Sequence, residues 1–572
     1  MNATGFRVTL ASDQRRADIT VSGDIPHIEA GDTSLLLFGH CLAGAAEIAR
    51  GLAAAVALDD PAPLMGWPGA YACVLVRPGE VVAFTDLAGQ FPLYHSWHLG
   101  EFAVASDPVV LADLHHRPAD AVTAAARIAC SAVLPLWEER SAFRDIARLP
   151  GGAVLRATPD RVRLSRLESR DDQGGSEALR HALTQAVAVR CAAGPISADF
   201  SGGLDSTSLA FLAARHTTVE AVVYHHPRLP AADLAEAVGF ARHDRRIRLT
   251  EVHGTQATLP YASLAEPGPR PRTAEPARGS LAVRRALLRL ERAVPHGMHL
   301  TGEGGDAVLG AAPSYLGGLA RPARIGGLVR HCTSQAALRH TSALGLAVRA
   351  GRLARTTPAR ALTHLGARLL RPDSGELTWP EAVTWWPIDG GVLGWLTART
   401  RRDLAERVAD PALAAHLDAG PARVATLTEL RQSADAQRQL RELGEAAGCG
   451  CTLLSSTTRW CAPASRSRPT RASIQARASR CWPPRCATWC PRGLPAAHQG
   501  DYSAEEYHGA RAVAARLHRL VDDSLLAEMG VVEPAPVRAC LDRLLAGAPV
   551  PLGAMGQFVA TELWLRDLDG GA

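Results

Sequence analysis

One seven-residue run, Ser201-Gly202-Gly203-Leu204-Asp205-Ser206-Thr207, constrains this chain more than any other. It follows Ile196-Ser197-Ala198-Asp199-Phe200 and leads into the helix-like Ser208-Leu209-Ala210-Phe211-Leu212-Ala213-Ala214-Arg215. A strand, a glycine turn and a helix start, in that order, make an anion cradle. The glycines let the backbone come close to a ligand, and the free N–H groups and dipole of the helix N-terminus face the anion. Hydroxyls of Ser201, Ser206 and Thr207 add donors, and Asp205 can hold a magnesium ion on a phosphate.

The run lacks the Gly-Lys-Ser/Thr ending of a Walker loop. It is similar instead to the pyrophosphatase-type loop of enzymes that cut ATP to AMP and pyrophosphate. A second glycine turn, Thr301-Gly302-Glu303-Gly304-Gly305-Asp306, follows the strand-like Met298-His299-Leu300-Thr301. A glycine turn at the C-terminal end of a parallel strand lies at the nucleotide crevice, and Asp306 is a natural second magnesium ligand. On neighbouring strand ends, Asp205 and Asp306 can grip the β,γ-phosphates through metal.

The rest of the chain supports an α/β fold. Residues 1–165 are β-rich: Ala70–Val76 and Glu80–Phe84 flank a Pro78-Gly79 turn, a hairpin pattern. Asp86–Tyr94 and Phe102–Asp107 continue it, and Leu149-Pro150-Gly151-Gly152 precedes a last short strand. Residues 166–176 are polar and glycine-bearing, a linker. From Glu177 the pattern alternates: a helix to Cys191, the loop strand, a second strand Val219–Tyr224, a helix Ala231–Arg242, and the third strand Met298–Thr301. This βαβ rhythm predicts a parallel sheet covered by helices. Residues 320–447 are strongly helical. Ser503 and Glu506 form a capping box before a helix Tyr507–Met529 that stops at Gly530.

Composition narrows the function classes. Apolar residues are 47% and charged residues 21%, which suits an ordinary packed core. No uncharged apolar run reaches the ~20 residues of a membrane span. Asp13, Arg15, Arg16 and Asp18 near the start argue against a signal peptide. A net charge of +5 without a basic block interleaved with aromatics argues against nucleic acid. Outside one dense cluster the cysteines are scattered, as reduced thiols of a cytoplasmic protein are. All 62 basic residues are arginine, so the tunable ammonium of lysine is missing from this chain.

On Ser201–Ser206 and Gly302–Asp306 the chain resembles the asparagine synthetase family. Asp86, Gly89 and Pro92-Leu93-Tyr94 look like that family's glutaminase-type domain. The resemblance covers most of residues 1–447 and resumes from about Asp501. It implies an Ntn/glutaminase-like αββα domain over 1–165. It also implies an adenine-nucleotide α-hydrolase-like (PP-loop) domain over 177–572, with ATP and Mg2+ as cofactors. Val222 and Val223 then lie beside adenine, and Glu303 and Tyr315 are candidate catalytic residues that also suit structural roles. His225-His226, after a strand, marks a loop surface rather than a ligand pair.

One departure is decisive. The family's glutaminases use a cysteine directly after the initiator Met, whereas here Asn2 stands there and the first cysteine is Cys41. The N-terminal domain therefore reads as a structural relic. Such relics occur in β-lactam synthetases and lasso-peptide macrolactam cyclases, and Gly304–Gly310 and Gly500–Tyr507 look most like the cyclases. The resemblance implies that ATP adenylates an Asp or Glu side chain of a precursor peptide and that the peptide's N-terminal amine closes an isopeptide ring. The implied partners are that peptide and leader-binding and leader-peptidase proteins, with no nucleic acid and no membrane. The alternatives are an asparagine synthetase fed by ammonia or glutamine, and an inactive peptide- or nucleotide-binding relic.

Residues 449–499 break the pattern. They hold no Asp, Glu or Lys but eight Arg, six Cys and three Trp. Cys449-x-Cys451 and Cys481-x4-Cys486-x3-Cys490 fit no zinc spacing. Reading each codon one base earlier, with permitted synonymous codons, turns 451–468 into LHSPFLDDPVVRACLAVP and 479–491 into KPLLAAAMRDVVP. Both are amphipathic helix sequence, and the first resembles the family's Pro-Phe-Leu-Asp region. A different slip near Gln499 restores a lysine where the family places its catalytic one. The segment is thus read as frame-shifted, with Gln499 at the position expected to be Lys.

Overall fold

A computed structural model describes residues 5–11, 17–166, 176–265, 273–295, 297–320, 324–372, 375, 377–415, 417, 420–446, 452–454 and 503–569. Eleven antiparallel strands make two facing sheets in the N-terminal domain. The first has order β2 (Asp18–Ser22), β1 (Gly5–Ala11), β8 (Glu101–Ala105), β7 (Leu93–His98), β9 (Ala147–Leu149). The second runs β11 (Arg161–Arg166), β10 (Ala153–Thr158), β6 (Glu80–Phe84), β5 (Gly69–Arg77), β4 (Thr33–Cys41), β3 (His27–Ala30). Phe6, Val8 and Phe102 of one sheet and Leu36, Phe38 and Val74 of the other share one core. The outer face of the second sheet buries Leu35, Leu37 and Leu75 under Leu52 and Ala55 of a helix, Ala45–Leu58. Across the other outer face lie the helices Pro108–His115 and Ala121–Ala129. Every residue of β5 except Arg77 is buried, because apolar layers cover both its faces. The expected αββα stack is therefore present.

The C-terminal domain is built on five parallel strands in the order β14 (Ile247–His253), β13 (Val219–His225), β12 (Ile196–Asp199), β15 (Met298–Leu300), β16 (Thr452–Leu454). The loop strand β12 sits in the middle, between the strands that carry Val222 and the second glycine turn. Helices cover the sheet, and a helical layer follows from Ile325 to a long helix, Pro421–Ala446. Among the described residues no helix is long and apolar enough to cross a membrane.

Four local expectations need correction. Asp86–Gln90 is not strand: the Asp86 carboxylate accepts N–H bonds from Ala88, Gly89 and Phe91 at 3.0, 2.9 and 3.1 Å, which fixes a turn. A hairpin, β10–β11, replaces the single short strand after Gly152. Strand β14 was not foreseen; its Ile-Arg-Leu-Thr-Glu-Val-His run pairs only with β13, at the sheet edge, and is half solvated. The helix expected over Tyr507–Met529 is three helices, Ser503–Ala512, Ala514–Asp522 and Leu525–Glu528. Ser524 starts the last of them by accepting from the Ala527 N–H and donating to Glu562. The linker core, 167–175, lies outside the described residues.

The two domains are joined by buried arginines. Arg431, on the long helix, donates to Glu138 Oε1 at 2.7 Å, to the Gly151 carbonyl at 2.6 Å and to the Leu87 carbonyl. Two helical turns further along, beside Arg438, Glu275 is fully buried among Arg127, Arg148 and Arg438 and accepts from Tyr94 Oη at 2.9 Å. Arg148 also reaches Asp435 at 2.6 Å. Burial alone would raise the Glu275 carboxyl, but the three arginines outweigh it and hold it below its usual range.

Candidate functional site

The site forms where β12 and β15 end side by side. After β12 the chain turns through Gly202, at φ +79°, into the loop helix Leu204–Ala214. A Cβ on Gly202 would sit 3.1 Å from Ala237 N, so the turn is pressed against the neighbouring helix as well as left-handed. Ser201 and Ser206 brace the loop from inside. Their hydroxyls lie 2.9 Å apart, Ser201 N–H donates to Ser206 Oγ at 3.2 Å, and Gly203 N–H donates to Ser201 Oγ at 3.3 Å. Ser201 stays exposed at the mouth, while Thr207 is fully buried and its hydroxyl has no partner.

After β15 the second turn folds onto the first. Gly304 has φ +91° and caps the short helix Gly305–Leu309. A Cβ on Gly302 would lie 2.8 Å from Ser206 N, and one on Gly305 would fall 2.4 Å from Asp205 Cγ. The two motifs are therefore in direct contact, with Asp205 laid over the Gly305 backbone. Gly305→Ala is expected to push Asp205 out of place and weaken magnesium-dependent ATP binding at least ~10-fold with little change in unfolding midpoint; titration calorimetry and thermal melts check this.

Electrostatics marks the same spot. Burial, then the charges of Asp306 and Glu303, push the Asp205 carboxyl up to about 7. Burial and Asp306 likewise raise Glu429, on the long helix, to about 7. Glu303 is raised by burial, with Asp306 and Asp199 adding to it against the opposing pull of Arg289. Such mutual repulsion of carboxylates is what a bound divalent cation relieves. Among the described residues no cluster of three or more His, Cys, Asp or Glu is arranged to hold a metal by itself. That suits magnesium, which takes one or two carboxylates and fills its shell with phosphate and water. The glycine-lined cradle and the exposed Ser201 hydroxyl at its mouth fit the phosphates of ATP.

A pH test follows from the sign of the Asp205 shift. Its folded pKa, about 7, lies above the ordinary 3.8, so its contribution to stability is complete below about pH 4 and lost as pH climbs through about 7. Magnesium should cancel that loss. The rise in melting temperature caused by the ion is expected to be larger at about pH 8 than at about pH 5.

Behind the loop, Asp199 ends β12. Burial would raise it, yet Arg289 and His299 hold it at about 2; Arg289 Nε donates at 3.1 Å and His299 Nε2 lies 3.3 Å away. Sequence reasoning missed Asp199, Arg289, His299, Glu429 and Gln437. Gln437 donates to Thr301 Oγ1 at 2.6 Å and so ties the long helix to the second motif. Only tertiary contact brings these residues together; no motif spacing announces them.

The named candidates divide as follows. Ser201–Thr207, Thr301, Gly302, Glu303, Gly304, Gly305 and Asp306 gather at the two turns. Val222 and Val223 are buried on β13 beside them, with the Val222 carbonyl accepting from Phe200 N–H at 2.8 Å. Tyr315 points elsewhere: its hydroxyl lies 3.1 Å from His331 Nδ1 and it packs in the helical core. Burial pushes it up to about 12, and it is a core residue rather than a member of the carboxylate cluster. His226 is buried and braces its own loop, its Nδ1 accepting from Arg228 N–H at 3.2 Å. Asn2 and Gln499 lie outside the described residues, as does all of 449–499 except Thr452–Leu454, which form β16.

Beside the turns opens a cleft of about 890 Å³. Glu303 lines its floor, and the long helix and residues 127–137 of the N-terminal domain line its sides.

Residues 178–416 match the asparagine synthase family. No curated protein matches the chain. Solved structures similar to it include the glutamine phosphoribosylpyrophosphate (PRPP) amidotransferase from B. subtilis complexed with ADP and GMP. It shares 13% identity over 53% of this chain and 76% of that one, at a TM-score of 0.20. An allosteric regulatory enzyme of purine biosynthesis shares 12% identity over 52% of this chain and 68% of that one, also at 0.20.

Proposed function

We propose that the chain is an ATP-dependent, magnesium-requiring amide ligase that adenylates an Asp or Glu side chain of a precursor peptide and closes a macrolactam with the peptide's N-terminal amine. The observation that carries this reading is the contact of the two glycine turns, which brings Asp205 within electrostatic reach of Asp306 at the glycine-lined loop. The asparagine synthase match over 178–416 supports amide-forming chemistry driven by ATP. The cleft supports a peptide over a free amino acid. Its volume, about 890 Å³, falls in the ~300–1,000 Å³ range of sites for ligands of drug size.

In this reading a peptide carboxylate oxygen attacks the α-phosphorus and the bond to pyrophosphate breaks. The amine then attacks the acyl carbon, the bond to AMP breaks, and the amine gives up a proton. Bound magnesium would neutralise the departing pyrophosphate, with Asp205 and Asp306 as its protein ligands. Loop N–H groups and the Ser201 hydroxyl would orient the phosphates. Glu303, on the cleft floor with its carboxyl raised, is placed to take the amine's proton. Both reacting ends belong to one peptide, so the cleft walls supply the proximity, worth up to ~7–11 kcal/mol in favourable cases.

ATP–pyrophosphate exchange tests the reading, in the chain as written and with 449–499 re-read in the alternative frame. Exchange that requires peptide is expected, much faster in the lysine-bearing version. Exchange driven by free aspartate would instead make the protein an asparagine synthetase. Silence from both versions would leave a nucleotide-binding relic.

A further inference from the structure

The cleft has an unexpected owner. One side belongs to the N-terminal domain. Ser131 is exposed and Ala132 half-buried at the rim, with Ile128 and Trp137 behind them. Opposite runs the long helix, with Gln432 and Ala436 exposed. The end wall comes from Pro549–Gln557 near the C-terminus.

This wall is held firmly. Gln432 Nε2 donates to the Ser131 carbonyl at 3.0 Å, joining the two sides at the rim. Trp137 Nε1 donates to the same carbonyl at 3.1 Å, and Arg127 lies over the Trp137 ring at 5.9 Å. Asp435, which also lines the cleft, has its charge taken up by Arg148. Pro260, Pro276, Pro387, Pro549 and Pro551 add rigid apolar surface. Arg278, exposed in the cleft, and Glu506 lie within electrostatic reach and offset each other. Polar and apolar surface line the cavity in nearly equal measure, hydrogen bonds brace its N-terminal wall, and Glu303 is among its lining residues.

We propose that the N-terminal domain is the substrate-reading wall of this cleft, holding an extended peptide segment of mixed polar and apolar side chains between Ser131–Ala132 and Ala436. The inference rests on the peptide-ligase reading and deepens it: the N-terminal domain supplies specificity, not only bulk. Small residues at 131, 132 and 436 leave room for the segment's side chains, and the fixed walls spare the ordering cost of binding.

The test is a filled cleft. Ala132→Trp and Ala436→Trp each place an indole in the channel from opposite sides, and Ser131→Arg is a second rim variant that buries nothing. The probe is a pool of synthetic linear peptides with a free amine, one Asp or Glu and a middle of mixed polar and apolar residues, presented to the full-length protein with Mg-ATP. Each variant is expected to weaken peptide retention at least tenfold, selectively over Mg-ATP affinity. If Ala436→Trp weakens retention while Ala132→Trp and Ser131→Arg, folded by thermal melts, do not, the N-terminal wall is not a reader and this inference falls alone. If the unaltered protein retains no peptide in either reading of 449–499, the peptide-ligase reading falls with it.

Discussion

Asp205→Asn and Asp306→Asn are each expected to cost about 100- to 1,000-fold in magnesium-dependent ATP affinity, with little change in binding measured in EDTA. The argument is electrostatic. A carboxylate bound to magnesium against phosphate contributes several kcal/mol, and each 1.4 kcal/mol is tenfold in affinity. Without metal, burial, with the charges of Asp306 and Glu303 adding to it, lifts Asp205 to about 7. Replacing one by a neutral amide relieves that strain, so the variants should melt at or above the parent temperature while binding nucleotide poorly. That opposite movement of stability and affinity separates a metal grip from a structural pair. Glu303→Gln, on the cleft side of the cluster, should leave most of the ATP affinity and lower turnover instead. Titration calorimetry with and without magnesium, paired with melts, gives both readouts. Equal losses in EDTA would remove the two-aspartate grip.

The second large effect concerns folding. Arg431→Ala is expected to destabilise the protein by about 3 kcal/mol, the low end of the cost of removing one partner from a buried ion pair, because Arg166 still lies 3.3 Å from Glu138 Oε2. The side chains of Arg431 and Glu138 are 6% and 5% exposed, so solvent screens neither. The substitution also strips the Leu87 and Gly151 carbonyls of their donor. Arg431→Met combined with Glu138→Gln should recover part of the loss, because no unpaired charge remains. A denaturant titration of both variants checks this, and a loss under about 1 kcal/mol in Arg431→Ala would show the clamp to be ornamental.

How far the sequence could carry the argument depended on distance along the chain. Ser201–Thr207 and Gly302–Asp306 announced the site because each packs its chemistry into consecutive residues whose backbone must bend as glycine allows. The β5–β6 hairpin was equally legible, since turn and alternation lie within a short window. Glu429, Gln437 and Arg289 were not, because a lone polar residue on a helix looks solvated until the neighbouring element is in place. Strand β14 was missed because an edge strand mixes Arg248, Glu251 and His253 with its apolar residues. Tyr315 shows the same limit: nearness in sequence to Asp306 does not say where the ring lies, and here a helix sets its hydroxyl 3.1 Å from His331 Nδ1.

The buried arginine clamp also bears on how the protein is made. Glu138 and its partner Arg431 are 293 residues apart, and Arg148 and Asp435 are 287 apart. At ~5–20 residues per second, the ribosome needs roughly 15–60 s to deliver the second half of each pair. Through that interval the nascent N-terminal domain carries unmatched charges on the face it will later bury. Those charges keep the face wetted and discourage premature association with other nascent chains. The domain is thus able to wait for its partner, and a stalled or truncated translation product would be left with a polar, unsealed flank.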